Sequence, residues 1–599
     1  MAELDHYGVR LPRNGDLSYH IIKFCSQPLP IKRSILQELK LKDLLIFLSK
    51  LGTDESTFQS LKWYNKNRLE LEYHPPPTIT NTDDDNYEEK LDVYLKRLAA
   101  TQSYFNSIRH IGSQVAVPIH LYISSTDEFP FFYNILDTAS NYDLELDFLE
   151  LKTSELVMLK RFEYYNYVTS LNLSQTIINN NTTTLDLRKF LNLQKLQLGP
   201  YLNLNIKLAN NGIKLESLTM DGRFNTDFIR SCKNLKRISY NLGGESFSTK
   251  VLPTSSLKHL KIWSDFRGGK LLIDSFAQFN LKSIELNLHD AVISPDLAVG
   301  FPPGLTSLVL IGPISGNIFK LLPKKLRKLE LISTSTSTSF KLDGPFTFPD
   351  TLEVLKIKGF IIISDFDTEM NFPSLKRIDL NNTFFIRPLN EFKFNKNILE
   401  KITITKYGNS DAYSFSNVNF SYYEQLKEIK LNSTNLVYSN LKLPTSLINI
   451  FIRNESIPEI TKSDPLFSKN SRFPLLTNVV LEDCGIQKIS PDIHLHSNVK
   501  HFTLFGSSIK SFTFNSTFFM SEKLSTLVLG CVEKLQFAQN EHSDAKHKTN
   551  LEHLTITIPN QFNLQPEFYS RFQKYFGKRL KLPLEYVAQD HTQFEFCLE

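Results

Sequence analysis

The sequence predicts an α/β solenoid: a parallel concave sheet with an irregular convex side, preceded by an α-helical N-terminal head. Two observations carry that class. The motif L-x-x-L-x-L starts at Leu193, Leu215, Leu235, Leu257, Leu281, Leu305, Leu326, Leu352, Leu375, Leu399, Leu426, Leu447, Leu476, Val499, Leu524 and Leu551, about every 24 residues. A fixed period in the twenties marks one supersecondary unit per repeat, each stacked on its neighbours. Within every motif the L-x-L core alternates, as a strand with one buried face must. The leucines therefore point inward, and the residues between them line the concave surface.

The elements follow in order. Residues 1–111 form the head. Ile35, Leu36, Leu39, Leu44, Leu48 and Leu51 fall at helical spacing. Pro75-Pro76-Pro77 and the acidic run Asp83 to Glu89 break the pattern. A second helix spans about 88–109, with Leu91, Leu95, Leu98, Phe105 and Ile108 on one side. The solenoid covers 112–560. Val115 to Ile123 and Leu144 to Leu151 alternate like strands, and Val168-x-x-Leu171-x-Leu173 matches the motif 25 residues before Leu193. Pro253, Pro303, Pro323, Pro349, Pro373, Pro444 and Pro474 precede their units. Proline has no N–H to give, so it suits the start of a strand and not its middle. Residues 561–599 form a cap. Pro566 to Leu580 reads as an amphipathic helix with Phe568, Phe572 and Phe576, covering core that a solenoid end would expose.

Some units extend the motif. Leu476-Thr-Asn-Val479-Val-Leu481 continues to Cys484 and Ile486; Val499 to Ile509 and Leu375 to Phe385 do likewise, with Ser507 and Thr383 where Cys484 stands. This pattern resembles the leucine-rich repeat family over roughly 112–560. The resemblance implies a horseshoe that binds a partner, with Cys484, Ser507 and Thr383 in the family's asparagine-ladder position.

A second resemblance lies in the head, within 28–64. Leu29, Pro30, Ile35, Leu36, Leu39, Asp43, Leu44 and Leu48 are similar to the Leu-Pro, Ile-Leu and Asp-Leu pattern of an F-box. It implies that Leu29, Pro30, Ile35, Leu36, Leu39, Leu44 and Leu48 face the Skp adaptor of a cullin scaffold, making the chain a substrate receptor of an SCF-type ubiquitin ligase. The alternative is an amphipathic helical cap on the first repeats, in a scaffold or regulatory protein with no ligase link.

Composition narrows the function classes. Of 599 residues 41% are hydrophobic, and 68 basic residues nearly balance 63 acidic ones for a net charge of +5. That balance does not point to nucleic acid or a membrane. The five cysteines are scattered and odd in number, which fits a reducing compartment, cytoplasmic or nuclear, and no disulfide framework. There is no apolar leader core and no run of about 18 apolar residues. No phosphate-binding glycine loop or nucleophile elbow occurs, so no catalysis and no cofactor are expected. Cys484, His494, His496 and His501 lack metal-ligand spacing, and no metal is expected.

The surface is where function is to be sought. The three variable positions of the sixteen motifs hold fifteen Lys or Arg and eight Asp or Glu. Arg237, Lys261, Lys328, Arg377, Lys401 and Lys430 make a central basic set. It could serve RNA or an acidic or phosphorylated partner, or be a solvated sheet of cross-strand ion pairs. Toward the C-terminus Ile448, Phe451, Val480 and Val528 make the surface apolar, a second place for a protein partner.

Overall fold

The computed structural model describes residues 69–72, 117–136, 142–149, 159, 161–175, 184–200, 205–209, 214–221, 226–242, 246–264, 270–272, 276–288, 300–312, 322–334, 339–342, 348–364, 371–382, 384–385, 393–405, 419–434, 436–468, 472–506, 509–514, 523–537, 550–561, 564, 567–576, 581, 583–588 and 591–598. The two head helices and the seven adaptor-facing residues, Leu29 to Leu48, lie outside them. The chain forms two compact units, Met1–Leu272 and Ile273–Glu599. Their division falls within the span read as one solenoid.

In the first unit eight strands pair in parallel, in chain order: β1 (Leu69–Glu72), β2 (Val117–Ile123), β3 (Tyr142–Phe148), β4 (Val168–Leu173), β5 (Lys195–Pro200), β6 (Ser217–Asp221), β7 (Arg237–Asn241) and β8 (His259–Ser264). The first of them falls inside the stretch assigned to the helical head. One short helix, α1 (Phe129–Leu136), follows β2 and buries Phe129, Phe132 and Leu136.

The second unit carries twelve parallel strands, again in chain order: β9 (Ser283–Leu288), β10 (Ser307–Ile311), β11 (Lys328–Ile332), β12 (Val354–Lys358), β13 (Arg377–Asn381), β14 (Lys401–Thr405), β15 (Glu428–Asn432), β16 (Asn449–Arg453), β17 (Asn478–Glu482), β18 (His501–Phe505), β19 (Thr526–Leu529) and β20 (His553–Pro559). Both leucines of the L-x-L core point inward. The register aligns Leu308, Leu329, Leu355, Ile378, Ile402, Ile429, Ile450, Val479, Phe502, Leu527 and Leu554, each no more than 1% exposed. Burying such a side chain contributes about 1.5–3 kcal/mol, repeated at every rung.

The prolines act one step earlier than the strand. Leu326, Leu352 and Leu447 donate their N–H groups to the carbonyls of Pro323, Pro349 and Pro444 at 2.9 to 3.3 Å, and Leu305 donates at 3.0 Å to Pro302, the residue before Pro303. Each proline thus opens the turn that delivers the first leucine to the core. Aromatic rings follow one another along the unit: Phe348 tilted against Phe372 at 4.9 Å, Phe372 stacked on Phe394 at 5.5 Å, and Phe394 edge-on to Tyr423 at 6.2 Å. The side expected to be irregular also carries short parallel pairs, such as Glu459–Ile460 with Lys488–Ile489 and Phe512–Phe514 with Leu535–Phe537.

A left-handed residue ends many strands of the second unit: Gly312, Gly359, Asn382, Ser433, Asn454, Asp483, Gly506 and Cys531 have φ between 46° and 138°. The chain bends away there while its N–H still reaches the neighbouring strand. Asn382 donates to Thr405 at 2.6 Å, Asn454 to Glu482 at 2.9 Å and Asp483 to Phe505 at 2.8 Å. At Gly312 a Cβ would lie 2.2 Å from the Leu288 carbonyl oxygen, at φ +138°; at Gly485, φ +64°, nothing lies within 4 Å. Gly312→Ala is therefore expected to destabilise by about 2–3 kcal/mol and Gly485→Ala by about 1 kcal/mol. Chemical-denaturation midpoints check this, and equal losses would reject the close-approach account.

The cap completes the second unit. Strand β22 (His591–Cys597) pairs antiparallel with β20, and β21 (Leu584–Val587) pairs antiparallel with β22. Helix α2 (Glu567–Phe576) covers the end, burying Phe568 and Phe572 against Phe514, with Phe596 also touching Phe568. The side chain of Phe576 is outside the described residues.

Candidate partner-binding face

Because the leucines point inward, the alternate residues of every strand share one open face. The register sorts them into rows running across the strands.

On the first unit the open face begins acidic. Asp143, Glu145 and Asp147 alternate along β3. Burial raises the Asp143 carboxyl, with the Glu145 charge adding to it. His120 on β2 is buried, stacks on Tyr122 at 4.3 Å and lies 3.6 Å from Asp147. Asn172 donates to Asp147 at 3.1 Å, and Lys195 reaches Glu145 at 3.2 Å across β4. Further along, Lys236 pairs with Glu216 at 2.6 Å. Arg237 and Lys261 are exposed, the latter 5.9 Å from the centre of the Trp263 ring.

The second unit's face has two sectors. On β11–β15, counting the residue before each strand, Arg327, Lys328, Lys356, Lys358, Lys376, Arg377, Lys401, Lys427 and Lys430 stand among Glu330, Glu353, Asp379, Glu400 and Glu428. Lys328, Arg377 and Lys401 share one row, and Lys430 lies in the next. They are not a bare basic track. Lys328 meets Glu330 at 2.9 Å, and Glu428 takes both Lys401 at 2.9 Å and Lys430 at 3.2 Å. Glu353 likewise holds Lys376 at 3.0 Å together with Arg327. Lys376 and Arg327 keep the Glu353 carboxyl below its ordinary value. At Glu428 burial works the other way, but Lys401 and Lys430 prevail and the carboxyl is lowered. At Asp379 burial prevails over Lys356 and Lys401, and the carboxyl is raised. Exposed pairs of this kind contribute about 0–1 kcal/mol each, so they organise the face more than they hold the fold.

On β16–β20 the character changes. One row reads Asn449, Asn478, His501, Thr526, His553; the next reads Phe451, Val480, Thr503, Val528, Thr555. Neither row contains a carboxylate, an ammonium or a guanidinium; the charge on these strands lies outside the two rows, at Lys500 and Glu552 just before β18 and β20 and at Arg453 and Glu482, paired at 3.4 Å, in the third row. Phe451, Val480 and Val528 therefore lie together in one row, half-buried, with Thr503 between the valines. Ile448 stands one position before β16, between Lys427 and Thr477 in the backbone ladder. Phe505 on β18 extends the apolar area; it follows the last leucine of its motif, where the motif carries no information about facing. At the border between sectors Lys430 sits 4.4 Å over the Phe451 ring.

Two further groups proved structural. Cys484 is buried, with its thiol directed at the Ile452 carbonyl at 3.4 Å, and burial pushes that thiol up to about 11, far from a reactive thiolate. The neighbouring ladder position is Glu455, 4% exposed. Its Oε1 accepts from the Thr434 N–H at 2.6 Å and the Thr434 hydroxyl at 2.7 Å, and its Oε2 from the Leu436 N–H at 2.9 Å. His494 and His496 lie 5.9 Å apart, ring to ring, and His496 packs edge-on against Phe473 at 5.1 Å. Among the described residues no group of three His, Cys, Asp or Glu side chains is placed to hold a metal ion. No described helix is long and apolar enough to cross a membrane.

No family model and no curated protein sequence matches the chain. A solved structure of a TLR13–ssRNA13 complex aligns over 73% of this chain at 15% identity and a TM-score of 0.34. The chain spans 65% of that structure's length, under two thirds of it.

Proposed function

We propose that this chain is a non-catalytic protein-binding repeat module, and that the uncharged sector of the second unit's open face is its main contact surface. One observation carries the reading. Two adjacent rows across five consecutive strands hold no charge, while the strands just before them are densely charged. A solvated sheet needs no such break. An interface core does, since burying a charge against a partner is costly while burying Phe451, Val480 and Val528 is favourable. A photo-crosslinking residue at position 480 should capture a discrete partner in cells, whereas one at Glu459, exposed on the opposite short ladder, should not. Equal labelling from both positions would reject the surface.

A second reading is favoured by Leu29-Pro30, Ile35-Leu36 and Asp43-Leu44. If these residues dock a Skp-type adaptor, the chain is a substrate receptor of an SCF-type ligase and acts by proximity, raising the local concentration of a bound target. Purified adaptor should then be retained by the wild-type chain and lost with Leu44→Asp plus Leu48→Asp. No retention by the wild type removes the ligase link and leaves the scaffold reading in place.

A further inference from the structure

We infer that the partner of the second unit's face presents an acidic, apolar segment: carboxylates beside a small apolar cluster, contacting the border between β13 and β18. This rests on the proposed protein-binding role of that face and names the chemistry it selects.

In the charged sector cations outnumber carboxylates nine to five. The deficit is built into the pairing: Glu428 is shared by Lys401 and Lys430, and Glu353 by Arg327 and Lys376. A carboxylate divided between two cations leaves each with spare donors, because an ammonium has three N–H groups. Lys430 stands at the seam, touching Glu428 on one side and the Phe451 ring on the other. An incoming carboxylate that reaches Lys401 or Arg377 restores the balance of charge. An incoming cation meets a net positive surface.

The apolar cluster lies close by. Strands are spaced about 4.8 Å apart, so Phe451 is roughly 5 Å from the strand of Lys430, roughly 10 Å from that of Lys401 and roughly 15 Å from that of Arg377. A partner therefore needs its acidic and apolar residues within roughly 15 Å of each other, about five residues of extended chain or ten of helix. Asn449, Asn478 and His501 run beside the apolar row and can meet backbone amides of the bound segment without demanding charge. Phosphate-driven nucleic-acid binding needs cations without matching carboxylates, and the alternation here works against it.

The test is selection of a displayed random 12-residue peptide library on the full chain, followed by fluorescence anisotropy of the enriched peptides. Enriched peptides should carry Asp or Glu within ten residues of Leu, Ile, Phe or Val, and should lose binding at least tenfold with Thr503→Glu or Val480→Asp. The double variant Arg377→Glu plus Lys401→Glu should shift enrichment toward Lys- and Arg-containing peptides. Far-UV circular dichroism confirms that each variant keeps its strands. Enrichment of basic or uncharged peptides that still bind through position 480 would overturn the acidic partner while keeping the binding face. Absence of any peptide sensitive to positions 480 and 503 would overturn both. Tighter binding of a single-stranded oligonucleotide than of any selected peptide, weakening steeply with salt, would replace the protein partner by RNA.

Discussion

Glu455→Ala is expected to destabilise the second unit by about 3–5 kcal/mol. The carboxylate sits 4% exposed between successive repeats and satisfies three donors 19 to 21 residues earlier in sequence: two backbone N–H groups and the Thr434 hydroxyl. Alanine removes all three acceptor contacts and opens a cavity, leaving the Thr434 and Leu436 N–H groups buried with no acceptor. Glu455→Gln keeps the length but only one acceptor oxygen, and should cost about half as much. Urea titration followed by circular dichroism measures both. An alanine variant within 1 kcal/mol of wild type would show that water or a shifted backbone replaces the carboxylate.

The acid limb of stability should depend on His496. Burial, with the neighbouring His494, lowers its imidazole from the usual 6.5 to about 4, while a hydrogen bond with the Leu466 backbone works weakly in the opposite direction. The sign follows from linkage. Between pH 6.5 and 4 the unfolded chain binds a proton that the folded chain refuses. Stability is therefore present above pH 6.5 and lost as pH falls toward 4, by up to about 3 kcal/mol. The raised carboxyls of Asp143, Asp379 and Asp464 act with the opposite sign and offset part of this loss. His496→Leu should unfold at a midpoint that changes less between pH 7 and pH 4 than the wild type does. Parallel curves for the two proteins would mean that His496 does not carry the acid sensitivity.

The repeat and its inward leucines could be read from sequence because both are local. Leu329 and Leu331 are spaced as a strand requires, whatever happens elsewhere in the chain. What the sequence hides is anything fixed by register. Arg327 and Glu353 are 26 residues apart, and their contact exists only because β11 lies beside β12 in register. The uncharged sector was hidden only in part. Phe451, Val480 and Val528 were legible as an apolar set from their shared place in the motif, but only the ladder adds Phe505, which follows the last leucine of its motif. Glu455 was unreadable for a different reason: a glutamate after a strand ordinarily faces water, and nothing near it in sequence announces the two N–H groups it serves. Ser433, Asp483 and Cys531 follow the same pattern, holding left-handed backbone that glycine would have announced. In the cap the helix was legible from Phe568 and Phe572. The strand pair after it was not, because Leu584 to Val587 is exposed along its whole length and lacks the alternation that marks a buried strand.

The reversed strand at the end of the second unit has a consequence for how these molecules behave in a crowd. A parallel ladder whose last rung is bare is a template: another copy can add to it, and then another, and the product is a fibre. Running His591–Cys597 back against His553–Pro559 seals that rung with a strand of the wrong polarity for propagation. What is left outside is four residues, Leu584–Val587, too short and too differently aligned to seed the next repeat. The hairpin works as a chain terminator for parallel addition at that end.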